Sequence, residues 1–324
     1  MTHLVRLLLA LVLVAGAASG GALLWFQSWL DNPGPLKAPA LVQLPRGSGV
    51  DGIALRLEAA GAVGDHRLWQ LAAHWTGKAA LLKAGEYALE PGDSPRALID
   101  RIAAGRVHFR KFTLVEGWRS AEIIQALAQA EALQGAVAQP PAEGTLLPET
   151  YLYTWGDTRP ELLQRMAKAR DELLNRLWAQ RARDLPLETP AQAVILASII
   201  EAETPVAAER AQVAGVFVNR LRLRMKLQSD PTVAYGITKG LTELDRPLSR
   251  ADLAQPSPWN TYTIDALPPT PINHPGRASL SAALNPAATK ALYFVADGKG
   301  GHVFAETYEQ HLRNVAAYRA SQGR

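Results

Sequence analysis

Hydrophobic positions follow three different patterns along this chain, and each pattern predicts a different kind of element. An uncharged run covers Leu7 to Phe26, which is the length of about twenty residues that a helix needs to cross a bilayer. Short segments with alternating apolar and polar residues occur between 41 and 117, and amphipathic stretches follow them, as expected for strands and helices. The apolar run Val194–Ile200 is unbroken, which favours a buried helix.

The run at the amino terminus predicts a single-pass membrane anchor. Arg6 precedes it, and Trp25 and Trp29 lie at its end, as is typical of a spanning helix with a cytoplasmic amino terminus. We expect residues 1–30 to contain a cytoplasmic amino terminus and the anchor in the inner membrane, and the catalytic part of the chain to lie on the periplasmic side. A cleavable signal peptide is the alternative, because Ala15-Gly-Ala17 resembles a cleavage site, but the apolar run continues past that site. The Pro-rich residues 31–40 predict a stiff spacer that holds the folded part away from the membrane.

A weak repeat predicts a small α+β subdomain over residues 41–135. Each copy has a short alternating strand, a turn with Gly and an amphipathic helix. Gly61 and Gly105 fall where helix ends favour a left-handed residue. The predicted strands lie in Leu41–Gly47, Tyr87–Gly92 and Phe112–Gly117, and the helices in Val50–Ala60, Pro95–Ala104 and Ser120–Leu133.

Residues 136–324 predict a second domain, mainly helical with a short sheet. A connection up to residue 160 precedes a long amphipathic helix over Pro160–Arg183, whose charged positions indicate a solvated face. Thr189-Pro190 and Thr204-Pro205 mark the start and the end of the buried helix. Leu292–Ala296 and His302–Ala305 form a predicted hairpin.

Glu201 is the candidate catalytic residue, because it stands at the end of the buried helix where water is scarce. Burial favours the protonated form of a carboxyl group, and this is the form that a general acid needs. Ala197 and Ser198 share its helical face and leave room for a ligand. The alternative is an ordinary solvated helix end. Glu203 projects about 200° away around the helix, so both carboxylates cannot face one pocket, and we expect Glu203 to be structural.

Seven further residues are candidate substrate contacts. The polar residues before Pro231 mark a helix start, where Asp230 contacts a sugar or caps the helix. The residues after Trp259 combine an aromatic ring with amide and hydroxyl groups, which suits a sugar or internal packing. A histidine after two glycines either orients the site or is structural. These candidates are Gln228, Ser229, Asp230, Asn260, Thr261, Tyr262 and His302.

Composition excludes several classes of protein. The 324 residues are 48% hydrophobic and 20% charged, which indicates globular material and about two domains. Because the chain contains no cysteine, disulfides, thiolate nucleophiles and Cys-based zinc sites are impossible. No HExxH or GxSxG motif is present, and His274, His302 and His311 lack ligand spacing, so we predict no metal. The net charge of +4 is spread without a dense basic run, which does not predict nucleic acid binding but suits anionic envelope surfaces.

Ordered motifs give the chain a resemblance to a known family. They are Ile199-Ile-Glu-Ala-Glu-Thr204, Val213-Ala-Gly-Val-Phe-Val-Asn-Arg220, Leu227-Gln-Ser-Asp-Pro-Thr232, Ser257-Pro-Trp-Asn-Thr-Tyr262, Ser279-Leu-Ser-Ala-Ala-Leu-Asn-Pro286 and Gly300-Gly-His-Val-Phe304. With them the sequence resembles the YceG-like family, the endolytic murein transglycosylases. The resemblance covers nearly the whole chain, including the anchor.

The resemblance implies a fold and an activity. The fold would be α+β, with an N-terminal transmembrane helix, a small LysM-like subdomain and a mainly helical catalytic domain. The activity would be cleavage of the MurNAc–GlcNAc β-1,4 bond of peptidoglycan with 1,6-anhydro ends, which limits nascent strand length, with Glu201 as acid and base and no cofactor. Partners would be peptidoglycan glycan strands and the inner membrane, with peptidoglycan synthases as further candidates.

Some positions depart from the family pattern without affecting Glu201. They are Glu149, Ala202, Ala266, Thr270, His274 and Leu312, and three of them fall in the loop 263–277. Two alternative functions stay open, a non-catalytic peptidoglycan-binding scaffold and a hydrolytic muramidase. A LysM-like subdomain without any ligand is equally compatible with the sequence, because a shared fold does not establish binding.

Overall fold

Two compact units divide the chain in a computed structural model that describes residues 2–322. The first unit runs to Arg110 and includes 153–156, and the second contains 111–152 and the residues from 157 onward. Helices and strands are mixed in the described chain, as the α+β prediction requires. The boundary that we expected near residue 135 falls at Arg110 instead.

The first unit has a two-stranded antiparallel sheet with helices around it. Ala40 pairs with Leu89 and Leu44 with Gly85. Trp69 is fully buried in its core. The elements are α1 (Thr2–Asp31), β1 (Ala40–Leu44), α2 (Val50–Ala59), α3 (His66–Trp75), a 3₁₀ turn (Ala79–Leu81), β2 (Gly85–Leu89) and α4 (Pro95–Ala104). The sequence did not lead us to α3, although Asp65 caps it by accepting from the N–H groups of Arg67 and Leu68.

Helix α1 is the described helix that is long and apolar enough to cross a membrane. Its most apolar window has a mean hydropathy of 2.3, and none of that window is buried. A core helix would be covered by other elements, so the exposure leaves a membrane anchor or a signal sequence. The helix does not stop at Ala17 but continues to Asp31.

The spacer prediction for residues 31–40 is wrong in one respect, since this segment packs onto the first unit. Phe26 and Leu30 of α1 are buried in the core of that unit. Asp31 accepts from the Arg96 side chain at 2.6 Å, and the N–H of Gly34 donates to the carbonyl of Asp93 at 3.0 Å. The apolar residues at the end of α1 therefore join the helix to the unit without a free tether.

The third copy of the predicted repeat belongs to the second unit. Strand β3 (Arg110–Thr113) pairs with β4 (Thr150–Tyr153) in a separate sheet. Helix α5 (Ser120–Gln129) ends four residues before the predicted end. The Arg159 guanidinium holds α5 in this unit, because it donates to carbonyls in the last turn of α5 and in the residues after it. They are those of Leu127, Ala128, Ala130, Leu133 and Gly135.

The second unit is mainly helical, with a buried helix at its centre. Helix α7 is buried from Ala193 to Ile200 and contacts α8 and α11. Its start at Pro190, capped by Thr189, and its end at Glu203 are as predicted. The helices are α6 (Arg159–Ala179), α7 (Pro190–Glu203), α8 (Arg210–Arg222), α9 (Asp230–Thr238), α10 (Arg250–Ala254), α11 (Arg277–Leu284) and α12 (Tyr308–Ser321), with a 3₁₀ turn at Ala207–Glu209. The predicted hairpin is confirmed as β5 (Tyr293–Ala296) and β6 (His302–Ala305).

Candidate functional site

Glu201 lies in the last turn of α7, where the helix leaves the core, and its side chain is 4% exposed. Its Oε1 accepts a hydrogen bond from Nη2 of Arg210 at 2.8 Å, and its Oε2 accepts from the N–H of Gly276 at 2.8 Å. The expected dry setting is therefore present. Both oxygens of Glu201 therefore have a donor, one of them a guanidinium, and each oxygen keeps a further lone pair.

Arg210 connects Glu201 with a second carboxylate, that of Glu116. Its Nη2 is 2.8 Å from Oε1 of Glu201 and 3.2 Å from Oε2 of Glu116. The Arg210 side chain is 10% exposed, whereas that of Glu116 is 42% exposed. Separating a buried ion pair leaves a charge without a partner in surroundings of low dielectric constant. Glu116 offers Arg210 another acceptor, nearer to solvent.

Two glycines allow this close approach of side chains and backbone. A Cβ on Gly276 would lie 1.9 Å from Oε1 of Glu116, and one on Gly117 would lie 3.6 Å from Cγ of Glu201. Gly117 also has a φ of +79°, which favours glycine. The N–H of Gly117 donates to the carbonyl of His274 at 3.0 Å, and the N–H of His274 donates to the carbonyl of Trp118 at 2.9 Å. These bonds hold the turn at Gly117 beside the turn at Gly276, next to Glu201.

A cavity of about 750 Å³ opens beside Glu201. Asn273 contributes a buried amide to its wall, and the Asn273 Nδ2 donates to the carbonyl of Ser198 at 2.9 Å. Oδ1 of Asn273 has no hydrogen-bond partner among the described residues. The polar or aromatic lining also includes Glu116, Trp118, Arg119, Glu122, Asp230, Tyr235, Glu243 and Arg246. The cavity therefore has charged and aromatic walls, and the unpartnered oxygen of Asn273 is buried.

Asp230 is the predicted contact that the structure places in the cavity with Glu201. It begins α9, which also brings Tyr235 to the cavity. Glu203 supports the start of this helix, because its carboxyl accepts from the hydroxyl of Ser229. Burial raises the pKa of Glu203 to about 7, against the lowering effect of the Ser229 hydrogen bond. Glu203 therefore acts as a support, as the 200° separation suggested.

Other predicted contacts face inward and hold the loop before Tyr262. Asn260 is buried, and its Nδ2 donates to the carbonyls of Asp252, Leu253 and Gln255. The hydroxyl of Thr261 is also buried and accepts from the N–H of Ser229 at 2.9 Å. The N–H of Gln228 donates to the carbonyl of Thr261 at 3.1 Å. These groups stabilise the start of α9, and their contact with a substrate stays a prediction.

Tyr262 and His302 each act on the site through a neighbour. The Tyr262 hydroxyl donates to Asp230 at 2.6 Å, and burial raises the pKa of that hydroxyl. His302 is bound to the carboxylate of Glu209, with its N–H at 2.9 Å and its Nδ1 at 2.7 Å. Glu209 directly precedes Arg210. His302 therefore holds the turn that presents Arg210, and it does not line the Glu201 cavity.

A second cavity of about 530 Å³ shares Tyr235 with the first and contains Glu143. Its lining is largely apolar and rich in proline, among them Pro140, Pro141, Pro269 and Pro271. Burial raises the pKa of Glu143 to about 7, although its oxygens accept from the N–H of Ser120 at 3.2 Å. This setting keeps a carboxyl group partly protonated at neutral pH.

His274, where the family pattern differs, is a buried structural residue behind this second cavity. Burial lowers its pKa to about 4, so the ring is neutral. Its Nδ1 accepts from the N–H of Leu146 at 3.1 Å, which leaves the Nε2 proton for the hydroxyl of Ser120 at 3.0 Å. Both ring nitrogens are thus satisfied inside the unit.

One group of potential metal ligands occurs among the described residues. Ligand atoms of Glu58, Asp65 and His66 lie within 4.8 Å of one another in the first unit. Nδ1 of His66 is 2.9 Å from Oε2 of Glu58, and Asp65 caps α3. These contacts show that the three side chains stabilise the start of α3, and we assign no metal to them.

Arg210, Glu116 and Asn273 were not identified from the sequence. Glu116 lies in Val115-Glu-Gly117, which we used only as the end of a strand. The signals that could have identified them are the two Gly turns, at Gly117 and Gly276, since a glycine often marks a close approach of backbone to another group. Only the three-dimensional structure brings these turns to Glu201.

Comparison with known proteins establishes the family of this chain. The model of the YceG-like family matches residues 42–317, and the chain belongs to the YceG-like family. An endolytic murein transglycosylase of Bacillus subtilis is 29% identical over 94% of this chain and 91% of that protein. A protein of the same name from Streptococcus pneumoniae is 28% identical over 98% of this chain and 66% of its own length.

A solved structure supports the fold. A yceG-like protein of Listeria monocytogenes aligns with a TM-score of 0.52 and 26% identity. The alignment covers 86% of this chain and 99% of that one. The resemblance seen in the sequence motifs is therefore confirmed at the level of family and fold.

Glu143→Gln should remove a pH-dependent loss of stability. A carboxyl group whose pKa is higher in the folded state lowers stability as pH rises from the unfolded value of 4.5 through about 7. Relative to wild type, the variant should therefore gain about 2–3 kcal/mol in free energy of unfolding between pH 5 and pH 8. Urea unfolding in detergent measures this difference, with the exposed Glu306→Gln as control. A difference that stays the same at both pH values would contradict the assignment.

Proposed function

We propose that this chain is a membrane-anchored lytic transglycosylase that cuts within peptidoglycan glycan strands. The bond cleaved would be the β-1,4 bond from MurNAc to GlcNAc, and the product would carry a 1,6-anhydro end. The observation that carries the proposal is the buried Glu201 carboxyl beside a cavity of about 750 Å³. This volume is within the range of ligand pockets. The names of the two relatives point to the same substrate.

The walls of the cavity suit an amino sugar. Trp118 and Tyr235 offer aromatic faces for the apolar side of a pyranose ring, and charged groups surround them. Asn273 adds a polar side chain to the same wall.

The reaction needs one carboxyl group in two successive roles. Glu201 in its acid form gives its proton to the glycosidic oxygen, and the bond from that oxygen to C1 of MurNAc breaks. The C6 hydroxyl oxygen of the same sugar then bonds to C1, and its proton passes to the Glu201 carboxylate. Atoms balance without water, metal or cofactor, since the nucleophile belongs to the substrate.

Arg210 sets the form of Glu201 before the reaction. The guanidinium donates to Oε1, and each carboxyl oxygen has a second lone pair that can carry the proton that the leaving group needs. Glu116 is the other acceptor of the same Nη2 and is more exposed. Transfer of Arg210 toward Glu116 as the glycan enters would move a cation away from Glu201 before the proton is given, and return of Arg210 would stabilise the carboxylate that remains.

The first unit supports an anchoring role in this function. Helix α1 has the length and apolar character of a membrane span, and we propose that it crosses the inner membrane with both folded units on the periplasmic side. The order β1-α2-α3-β2, with antiparallel strands, is compatible with a LysM-like subdomain. An enzyme anchored this way would cut new strands near the membrane and so limit their length, together with peptidoglycan synthases.

A hydrolytic muramidase is the second candidate. Asp230 lines the cavity with Glu201, and a second carboxylate could activate water, as in inverting glycosidases. The two reactions leave different ends, because water gives a reducing sugar and the C6 hydroxyl gives an anhydro ring.

Glu201→Gln should abolish cleavage of purified sacculi. Loss of a general acid lowers the rate about 10²–10⁴-fold, and the amide can still accept one of the two hydrogen bonds. Mass analysis of the released fragments measures both the yield and the type of end. Glu203→Gln is the matched control, because it lies on the same helix, faces Ser229 and should keep most activity.

Two outcomes of the digestion decide between the candidates. Unchanged fragment yield in Glu201→Gln would reject the role of Glu201. Reducing ends in place of anhydro ends, lost in the same variant, would favour the muramidase. A chain that binds sacculi but releases no fragments would be a scaffold.

Arg210→Ala should lower kcat with little change in KM. Arg210 does not line the cavity, so its loss should affect the Glu201 carboxyl more than glycan binding. We expect a fall in kcat of about 10²-fold and partial recovery in Arg210→Lys, because an ammonium group also donates. Initial rates on uncrosslinked glycan strands give both constants. The exposed Arg222→Ala on the same helix is the control, and an unchanged kcat in Arg210→Ala would contradict this role.

A further inference from the structure

The end of α1 is part of the core of the first unit, and this gives the unit a fixed direction relative to the helix. Phe26 and Leu30 are buried in that core, and Arg96 binds Asp31 through two hydrogen bonds. The ring of Phe26 also stacks on that of Trp29 at 5.9 Å. A helix held at its last two turns cannot swing relative to the unit.

One end of the first unit is formed by residues that contact the end of α1 and the segment that follows it. The N–H of Gly34 donates to the carbonyl of Asp93, and a Cβ on Gly34 would lie 2.5 Å from the carbonyl oxygen of Ala62. Val63 and Pro95 line a small cavity together with Trp25, the last turn of α1 and the residues that follow it. Helices α3 and α4 both begin beside these residues, far from the amino terminus of α1.

Both helices run back along α1 toward its apolar part. Helix α3 has ten residues and is about 15 Å long, and its last residue, Trp75, contacts Phe26 edge to face at 6.1 Å. Helix α4 follows the same direction, since its Asp100 binds Lys78 at 2.6 Å. The carbonyl of Ile102, near its end, accepts from the N–H of Lys83 at 3.3 Å.

The opposite end of the unit is therefore the end nearest to the apolar run, and we call it the proximal face. It comprises Trp75, Leu81, Lys83 and Arg106. Trp75 is 59% exposed and Leu81 is 57% exposed, although both are large apolar residues. Lys83 and Arg106 are exposed as well. Trp25 of α1, at about the level of Trp75, is 59% exposed.

We infer that the proximal face rests on the lipid surface, with Trp75 and Leu81 at the level of the headgroups and Lys83 and Arg106 against anionic phosphates. Tryptophan is enriched at this depth because its ring is apolar and its N–H is polar. Basic groups close to a bilayer are attracted by anionic lipids. The inference rests on the proposal that α1 spans the membrane, and it adds a second contact that fixes the first unit against the bilayer.

Site-specific fluorescent labels test this contact in the full chain. The sequence has no cysteine, so each single-cysteine variant carries one label. The test position is Leu81→Cys, which keeps the contact between Trp75 and Phe26. The controls are Val12→Cys within the apolar run and Glu90→Cys, which is exposed in the turn of Asp93 at the other end of the unit. Each labelled protein is reconstituted into vesicles of phosphatidylcholine and phosphatidylglycerol that contain lipids with a nitroxide near the headgroup, and the label at 12 is also measured in vesicles whose lipids carry the nitroxide in the acyl chain.

The label at 81 should be quenched at least about twofold more strongly than the label at 90, as expected for an interfacial residue. Adding Lys83→Glu and Arg106→Glu should reduce quenching at 81 in these anionic vesicles. Equal quenching at 81 and 90, with strong quenching at 12, would overturn the inference and leave the anchor in place. Absence of quenching at 12 would overturn both the anchor and the proximal face.

Discussion

The site depends on one shared guanidinium. Arg210 donates from a single nitrogen to Glu201 and to Glu116, so one buried cation is shared between two carboxylates of different exposure. A buried carboxylate without this partner would be costly, and a carboxylate bound too tightly could not act as an acid. In the reaction that we propose, Glu116 gives Arg210 a second acceptor close by.

The rest of the second unit serves to hold that arrangement. The apolar length of α7 fixes Glu201 at the edge of the core, and Gly117 and Gly276 let two turns close around it. Glu209 and His302 hold the turn before Arg210. Supports of this kind limit the motion of the reacting group, and misplacement by even 1 Å can cost about 10²-fold in rate.

The sequence predicted the features that are determined by residues close together in the chain. The ends of α7, the β5–β6 hairpin and the position of Glu201 follow from caps, Gly turns and apolar runs. The parts that sequence reasoning missed depend on contacts between distant residues. Arg210 comes into contact with Glu201 and Glu116 only when the chain folds. The end of α1 packs against the rest of the first unit because Phe26 and Leu30 are buried in its core.

The most direct measurement is the structure of the Glu201→Gln chain with an uncrosslinked glycan fragment bound. Our account predicts that the fragment lies in the cavity of about 750 Å³, with a glycosidic oxygen within about 2.6–3.2 Å of the side chain at position 201. A fragment bound instead in the cavity that contains Glu143, or one whose glycosidic oxygens are all out of reach of position 201, would contradict it.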